Sequence, residues 1–225
     1  MKEMQSYIHL ANGRKVIETS ISRSLISYEG KSDLENLDFR GLFVFEDSIL
    51  SPGQNMVIAA DTHCLCLILP LVGGAEFPNL EDSPIVAPGE FFLIKLSQQE
   101  NFSIQNPFEN EPVNFIKVLL STQFCSFENK FLIKQFDLDA SPNKLVLMSE
   151  GFGNESFISN FESRAEGQIN SDENFNSFVF VVSGSFEVNG MLLHDRDAAS
   201  CFNIKTLDFE SLSLQSIILI LKEKS

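Results

Sequence analysis

Strand-length apolar runs, each closed by a turn signal, succeed one another along this chain with almost no helical periodicity between them. Leu42-Phe43-Val44-Phe45 leads into Glu46-Asp47-Ser48, Ser51-Pro52-Gly53-Gln54 reads as a turn, and the run from Cys64 to Val72 reads as a buried strand ended by Gly73-Gly74. Phe91 to Ile94 and Val113 to Leu120 read as further strands. The pattern predicts an all-β protein.

The pattern also repeats. Glu166-Gly167-Gln168 precedes the run Ser177 to Gly184 much as Pro52-Gly53-Gln54 precedes Cys64 to Gly73, and each half ends in an apolar strand, Val113 to Leu120 and Ser216 to Leu221. Ser185 to Leu193 is the clearest hairpin, because Asn189-Gly190 supplies the two positive-φ residues of a type I′ turn. Two tandem β-barrels of about a hundred residues each fit this repeat. The expected division is a first barrel over 1–122, a connecting segment over 123–143 and a second barrel over 144–225.

Composition narrows the function by exclusion. Sixteen basic against 31 acidic residues give a net charge of −15, with no cluster of Lys and Arg to neutralise phosphates, so no nucleic-acid partner is expected. The same charge opposes anionic membrane surfaces, and no apolar run has the length of a membrane span. The first five residues, Met1 to Gln5, lack an apolar signal core, and Cys64, Cys66, Cys125 and Cys201 are too few and too irregular for a disulfide framework. A reducing cytoplasm is the expected location. With 22 Phe against 2 Tyr and no Trp, most aromatic rings should be interior, since Phe has no polar handle for a binding rim.

The order and spacing of several short motifs resemble the pirin-like branch of the cupin superfamily, two β-barrels in one chain. In the first half these are Arg14, Arg23-Ser24-Leu25, Phe45-Glu46-Asp47, Pro52-Gly53-Gln54, Gly73, Pro88-Gly89-Glu90 and Ser103 to Pro107. In the second half they are Glu187-Val188-Asn189-Gly190 and Asp197-Ala198. The resemblance implies a bicupin fold. In metal-bearing pirins it also implies a His-x-His pair after Pro-Gly-Gln, then a His and a Glu before Asn-Pro, holding iron or a similar ion with positions open to substrate or dioxygen. On that pattern Ala59 and Asp61 stand at the pair, and Phe102 and Ile104 at the later His and Glu. Methyl, benzyl and sec-butyl groups have no lone pairs. The expectation is therefore no metal, no cofactor and no catalytic residues, and loss of the quercetinase-type dioxygenase activity of some relatives.

Substitute ligands are few. Asp61 and His63 share a strand face with Ala59 and together offer half a metal site; the alternative is a solvated Asp61 near the rim and a His63 that caps the strand entrance. Cys64 and Cys66 place two sulfurs on the opposite face, where they suit either a soft ion or simple core packing. His194, beside Asp195-Arg196-Asp197, belongs to a solvated turn, and the second barrel has Asn170, Ser171 and Asp172 in place of a His-x-His pair. No nucleophile elbow or phosphate-binding loop is present.

Two readings follow. In the first, the chain is a metal-free pirin-like bicupin that binds a small molecule or a protein, with Ala59, Asp61, His63, Phe102 and Ile104 lining an apolar pocket. In the second, it is a metal-dependent, quercetin 2,3-dioxygenase-like oxidoreductase that uses Asp61, His63 and further ligands.

Overall fold

Alternate side chains of a strand point to opposite faces, so a strand that is apolar at every position must be covered on both sides. The computed structural model, which describes residues 4–30 and 39–225, places such strands in walls shared between neighbouring cores.

Among the described residues the first half forms two sheets. A seven-stranded antiparallel sheet runs in the order Phe131–Gln135, Glu90–Leu96, Cys64–Val72, Val113–Leu120, Leu42–Leu50, Ser22–Glu29 and Lys15–Glu18. A four-stranded sheet, ordered Asn55–Ala59, Asn101–Gln105, Ala75–Glu76 and Ile85–Val86, closes over one of its faces. The second half is one strongly curled sheet built on two long strands, Glu166–Ser183 and Ala198–Ser211. This is the all-β, two-barrel architecture expected from the strand repeat.

The Cys64–Val72 strand shows why its apolar run is unbroken. Cys64, Cys66 and Ile68 enter the core of the first barrel, while Leu65, Leu67 and Leu69 enter a separate core between the barrels. In the second barrel Val179 and Val181 point inward, and Phe178, Phe180 and Val182 point to the seam. The last strand divides in the same way, with Ile218 and Ile220 inside and Leu219 and Leu221 at the seam.

Aromatic rings join the two walls. The Phe45 ring lies 4.9 Å from Phe178 and 4.7 Å from Phe180, centroid to centroid, and Phe39 lies 4.8 Å from Phe202. Beside this contact sits a buried polar cluster. Asp47 Oδ2 is 3.2 Å from guanidinium nitrogens of both Arg14 and Arg196, and its Oδ1 accepts from Asn114 Nδ2 at 2.7 Å. Asp197 accepts from the Ala11 amide at 2.7 Å and the His194 amide at 2.9 Å. At the other end of the seam Glu223 accepts from the Arg40 and Gly41 amides at 2.9 and 2.7 Å, and burial pushes its carboxyl above the usual range.

Several sequence expectations are corrected here. Glu46-Asp47-Ser48 is no turn but part of the Leu42–Leu50 strand, because each of these polar side chains has a partner: Lys117, the two arginines, and Ser24. Glu166-Gly167-Gln168 likewise lies within a strand; a Cβ on Gly167 would stand 2.2 Å from the Phe209 ring, so the glycine serves ring packing. The division into units also shifts. Gln5–His9 pairs with Ala198–Ser211 of the second barrel, and Phe131–Gln135, inside the expected connecting segment, pairs with Glu90–Leu96 of the first. The Asn189-Gly190 turn is as expected, with φ of 45° and 76°. The described residues include no helix long and apolar enough to cross a membrane.

Because the two barrels share one core, they should unfold together. Phe45→Ala should cost about 3–5 kcal/mol, the usual loss for a buried Phe, and chemical denaturation should keep a single transition. Two separated transitions would contradict the shared core. A pH effect follows from His9, whose ring is 2.8 Å from Ser200 Oγ and packs against Phe178, and whose burial lowers its pKa from 6.5. Below pH 6.5 the unfolded chain takes up a proton that the folded imidazole refuses, so stability falls as the pH drops through that value. Thermal melts between pH 7.5 and 5.5 should therefore show a shallower decline for His9→Gln than for the wild type.

Candidate functional site

Cross-strand pairs on adjacent antiparallel strands share a face, and this fixes what lines the first barrel. Phe102 pairs with Ile58 and Ile104 with Met56. Phe102, Ile104, Ile58 and Ala60 are all buried in the first-barrel core, so Phe102 and Ile104 face the interior. The facing expected for Ala59, Asp61 and His63 is reversed. Ala59 pairs with exposed Asn101 on the outer surface, and Asp61 and His63 are exposed in the turn before Cys64. A one-residue change of register turns a side chain to the other face, and here it brings Ile58 and Ala60 inward.

The interior is packed with rings. Phe77 stacks on Phe92 at 4.1 Å, and Phe102 lies 6.0 Å from both, with Phe131 5.8 Å from Phe92. Cys64 and Cys66 belong to this core, as the packing alternative for the Cys-x-Cys pair anticipated. Burial, with Asp61 adding to it, raises the Cys64 thiol, and burial raises the Cys66 thiol far more strongly. Burial thus favours the protonated thiol at both sulfurs, as suits side chains packed in a core.

One charged pair shares this interior face. Glu46 lies 2.6 Å from Lys117 Nζ and accepts from Ser48 Oγ at 2.5 Å, and Ser48 Oγ is 3.0 Å from Ser24 Oγ. Burial alone would raise the Glu46 carboxyl, but Lys117 and the two hydroxyls outweigh it and hold the carboxyl below its usual value. The pair satisfies itself, so it supplies no open ligand. Among the described residues no group of three or more His, Cys, Asp or Glu side chains is placed to hold a metal ion. Ile58, Ala60, Phe102 and Ile104 carry no donor atoms in their side chains and so do not fit a transition ion, which needs several N, O or S donors.

Asn106, the other motif residue here, is structural. Its Nδ2 donates to the Leu50, Ser51 and Glu111 carbonyls at 3.2, 3.0 and 2.8 Å, and its Oδ1 accepts from the Phe108 amide, clamping the loop that follows. In the second barrel the interior is again apolar, from Phe161, Phe175 and Phe186 to Ile220, and Asn170, Ser171 and Asp172 lie outside that core.

Concave surface occurs elsewhere. A cleft of about 670 Å³ on the second barrel is bordered by Glu166, Glu187, Asp208 and Glu210 over Phe209. A larger one, about 1110 Å³, lies between the barrels, walled by the Ala87–Glu90 turn and residues 135–139 on one side and by Asn160, Ser183, Gln215 and Ile217 on the other. The sequence reading missed the second cleft, because its walls are more than 20 residues apart along the chain at their nearest. It also missed the Asp47 cluster; the signal available was a set of charged residues embedded in apolar runs.

Comparison with known proteins agrees with this architecture. Residues 155–221 match the family model of the quercetinase C-terminal cupin domain. YhhW from Escherichia coli superposes with a TM-score of 0.81 at 16% identity, over 98% of this chain and 99% of that one. The nickel(II) complex of the same bacterial pirin superposes with a TM-score of 0.80, also at 16% identity, with the same coverage of both chains. Quercetin 2,3-dioxygenase from Acinetobacter baumannii superposes with a TM-score of 0.69 at 9% identity, over 97% of this chain and 85% of that one. No curated protein sequence matches. The chain has the pirin-like bicupin fold, and residues 155–221 of its second barrel are similar to the quercetinase C-terminal cupin domain.

Proposed function

We propose that this pirin-like bicupin acts by binding, without a metal ion and without dioxygenase chemistry. The observation that carries the reading is the convergence of Ile58, Ala60, Phe102 and Ile104 in the first-barrel core, with Phe102 and Ile104 standing where the family resemblance expects a His and a Glu. Carbon side chains offer no lone pairs, and an ion moved into such a core would lose its hydration without replacement. The packed rings also leave the barrel interior to stability, so the ligand surface lies outside it. That modifies the expected lumen pocket: of its five residues, Phe102 and Ile104 are core and Ala59, Asp61 and His63 are surface. Four free cysteines, three of them buried, suit a reducing cytoplasm. The net charge of −15 suits neither nucleic acid nor an anionic membrane.

The test is the metal content of untagged protein from metal-replete medium, measured by inductively coupled plasma mass spectrometry, with quercetin-dependent dioxygen uptake measured on the same sample. Every transition metal should be far below one equivalent and uptake should match the protein-free rate. Near-stoichiometric iron, nickel, copper or zinc, lost in Asp61→Ala or His63→Ala, would overturn this reading and instate the metal-dependent oxidoreductase.

A further inference from the structure

The cleft between the barrels has an apolar floor and a rim of one sign. Phe136, Leu138 and Ile217 form the floor, half-buried and packed against the shared core, with the Phe136 ring 6.1 Å from buried Phe91. Glu90, Asp137 and Asp139 border it, and no Lys, Arg or His is among the lining residues. The rim is held in place. Asp137 Oδ1 accepts from the Asp139 and Ala140 amides at 2.9 and 3.0 Å, and Glu90 accepts from the Ala87 amide and from Gln135 Nε2 at 3.0 and 2.9 Å. Asp139 Oδ1 accepts from Asn160 Nδ2 at 3.3 Å across the cleft, joining the two barrels. Asn160 Oδ1 is buried with no hydrogen-bond partner among the described residues.

From this arrangement we infer that the inter-barrel cleft is a binding site for small amphipathic amines. The apolar body of the ligand covers Phe136, Leu138 and Ile217, and its ammonium lies at the rim beside Asp137 and Asp139, where the described lining residues include no Lys, Arg or His. Apolar floors with a few convergent polar groups are the usual form of a small-molecule site, and one-signed clefts concentrate ligands of opposite charge. Ligands with a carboxylate in the same place are rejected, because an anion would meet three like charges and no donor cation. The acidic cleft on the second barrel differs in kind: Glu210 there is paired with Arg164 at 3.0 Å, and Phe209 beneath it is buried, leaving no comparable apolar floor. The assignment deepens the binding reading, yet it does not need the first barrel to be metal-free, so metal analysis and the following titration fail independently.

The chain has no Trp, so an indole ligand can be followed by its own fluorescence. Tryptamine is the probe, with indole-3-propionate as the anion of similar size, titrated into the full chain at physiological salt. Saturable tryptamine binding is expected, with no saturation by indole-3-propionate. Asp137→Asn with Asp139→Asn keeps oxygen acceptors at the turn and should weaken tryptamine about fivefold or more, the effect of removing two exposed charge contacts. Glu166→Gln with Glu187→Gln removes the same charge from the other cleft and should leave the affinity unchanged. Equal weakening by both double variants, no weakening by the first, or equal affinity for the two indoles would overturn the site. So would the absence of saturable tryptamine binding to the wild type.

Discussion

The structure depends on a strand carrying side chains on both faces into separate apolar cores. Phe45, Leu67, Phe178 and Leu219 belong to the seam, while Cys66, Ile68, Val179 and Ile220 on the same strands belong to the barrels. The walls built from these strands cannot shift without disturbing the seam. The Asp47 cluster then sets the lateral position, because a buried carboxylate shared by Arg14 and Arg196 tolerates little displacement. The exchange of Gln5–His9 into the second sheet ties the chain's two halves a third time.

How much of this was legible depends on how local the cause is. The all-β class, the strand runs and the Asn189-Gly190 hairpin follow from local chemistry, namely apolar run length and the positive φ that Asn and Gly tolerate. The facing of Ala59 does not. Two adjacent alanines give no contrast of size or polarity, and the deciding contacts, Ile58 with Phe102 and Met56 with Ile104, come from a strand more than 40 residues away. Glu46, Asp47 and Ser48 looked like a turn for the same reason, since their partners Lys117, Arg196 and Ser24 are distant in sequence. Gly167 shows the converse error: a glycine that matched a turn motif exists to admit the Phe209 ring.

Filling a cupin interior with phenylalanine changes what the fold can do. In this chain the barrel interiors are mainly apolar, with the Glu46–Lys117 pair and its serines the charged exception in the first, and other charged side chains lie at the seam and on the rims of surface clefts. The buried Glu46–Lys117 pair illustrates the balance, since the carboxylate meets both Lys117 and the Ser48 hydroxyl and so spends its charge internally. On the binding reading proposed above, function moves to surface concavities, and the cleft between the barrels is the one floored by residues packed on the shared core.

The account rests most heavily on the first barrel's interior having no place for a metal ion. Crystals grown with excess nickel(II), with diffraction recorded at the nickel absorption edge, address this directly. The account predicts no anomalous peak among Ile58, Ala60, Phe102 and Ile104, and continuous side-chain density through the Phe77–Phe92 stack. An anomalous peak at that position, with the rings displaced around it, would contradict it.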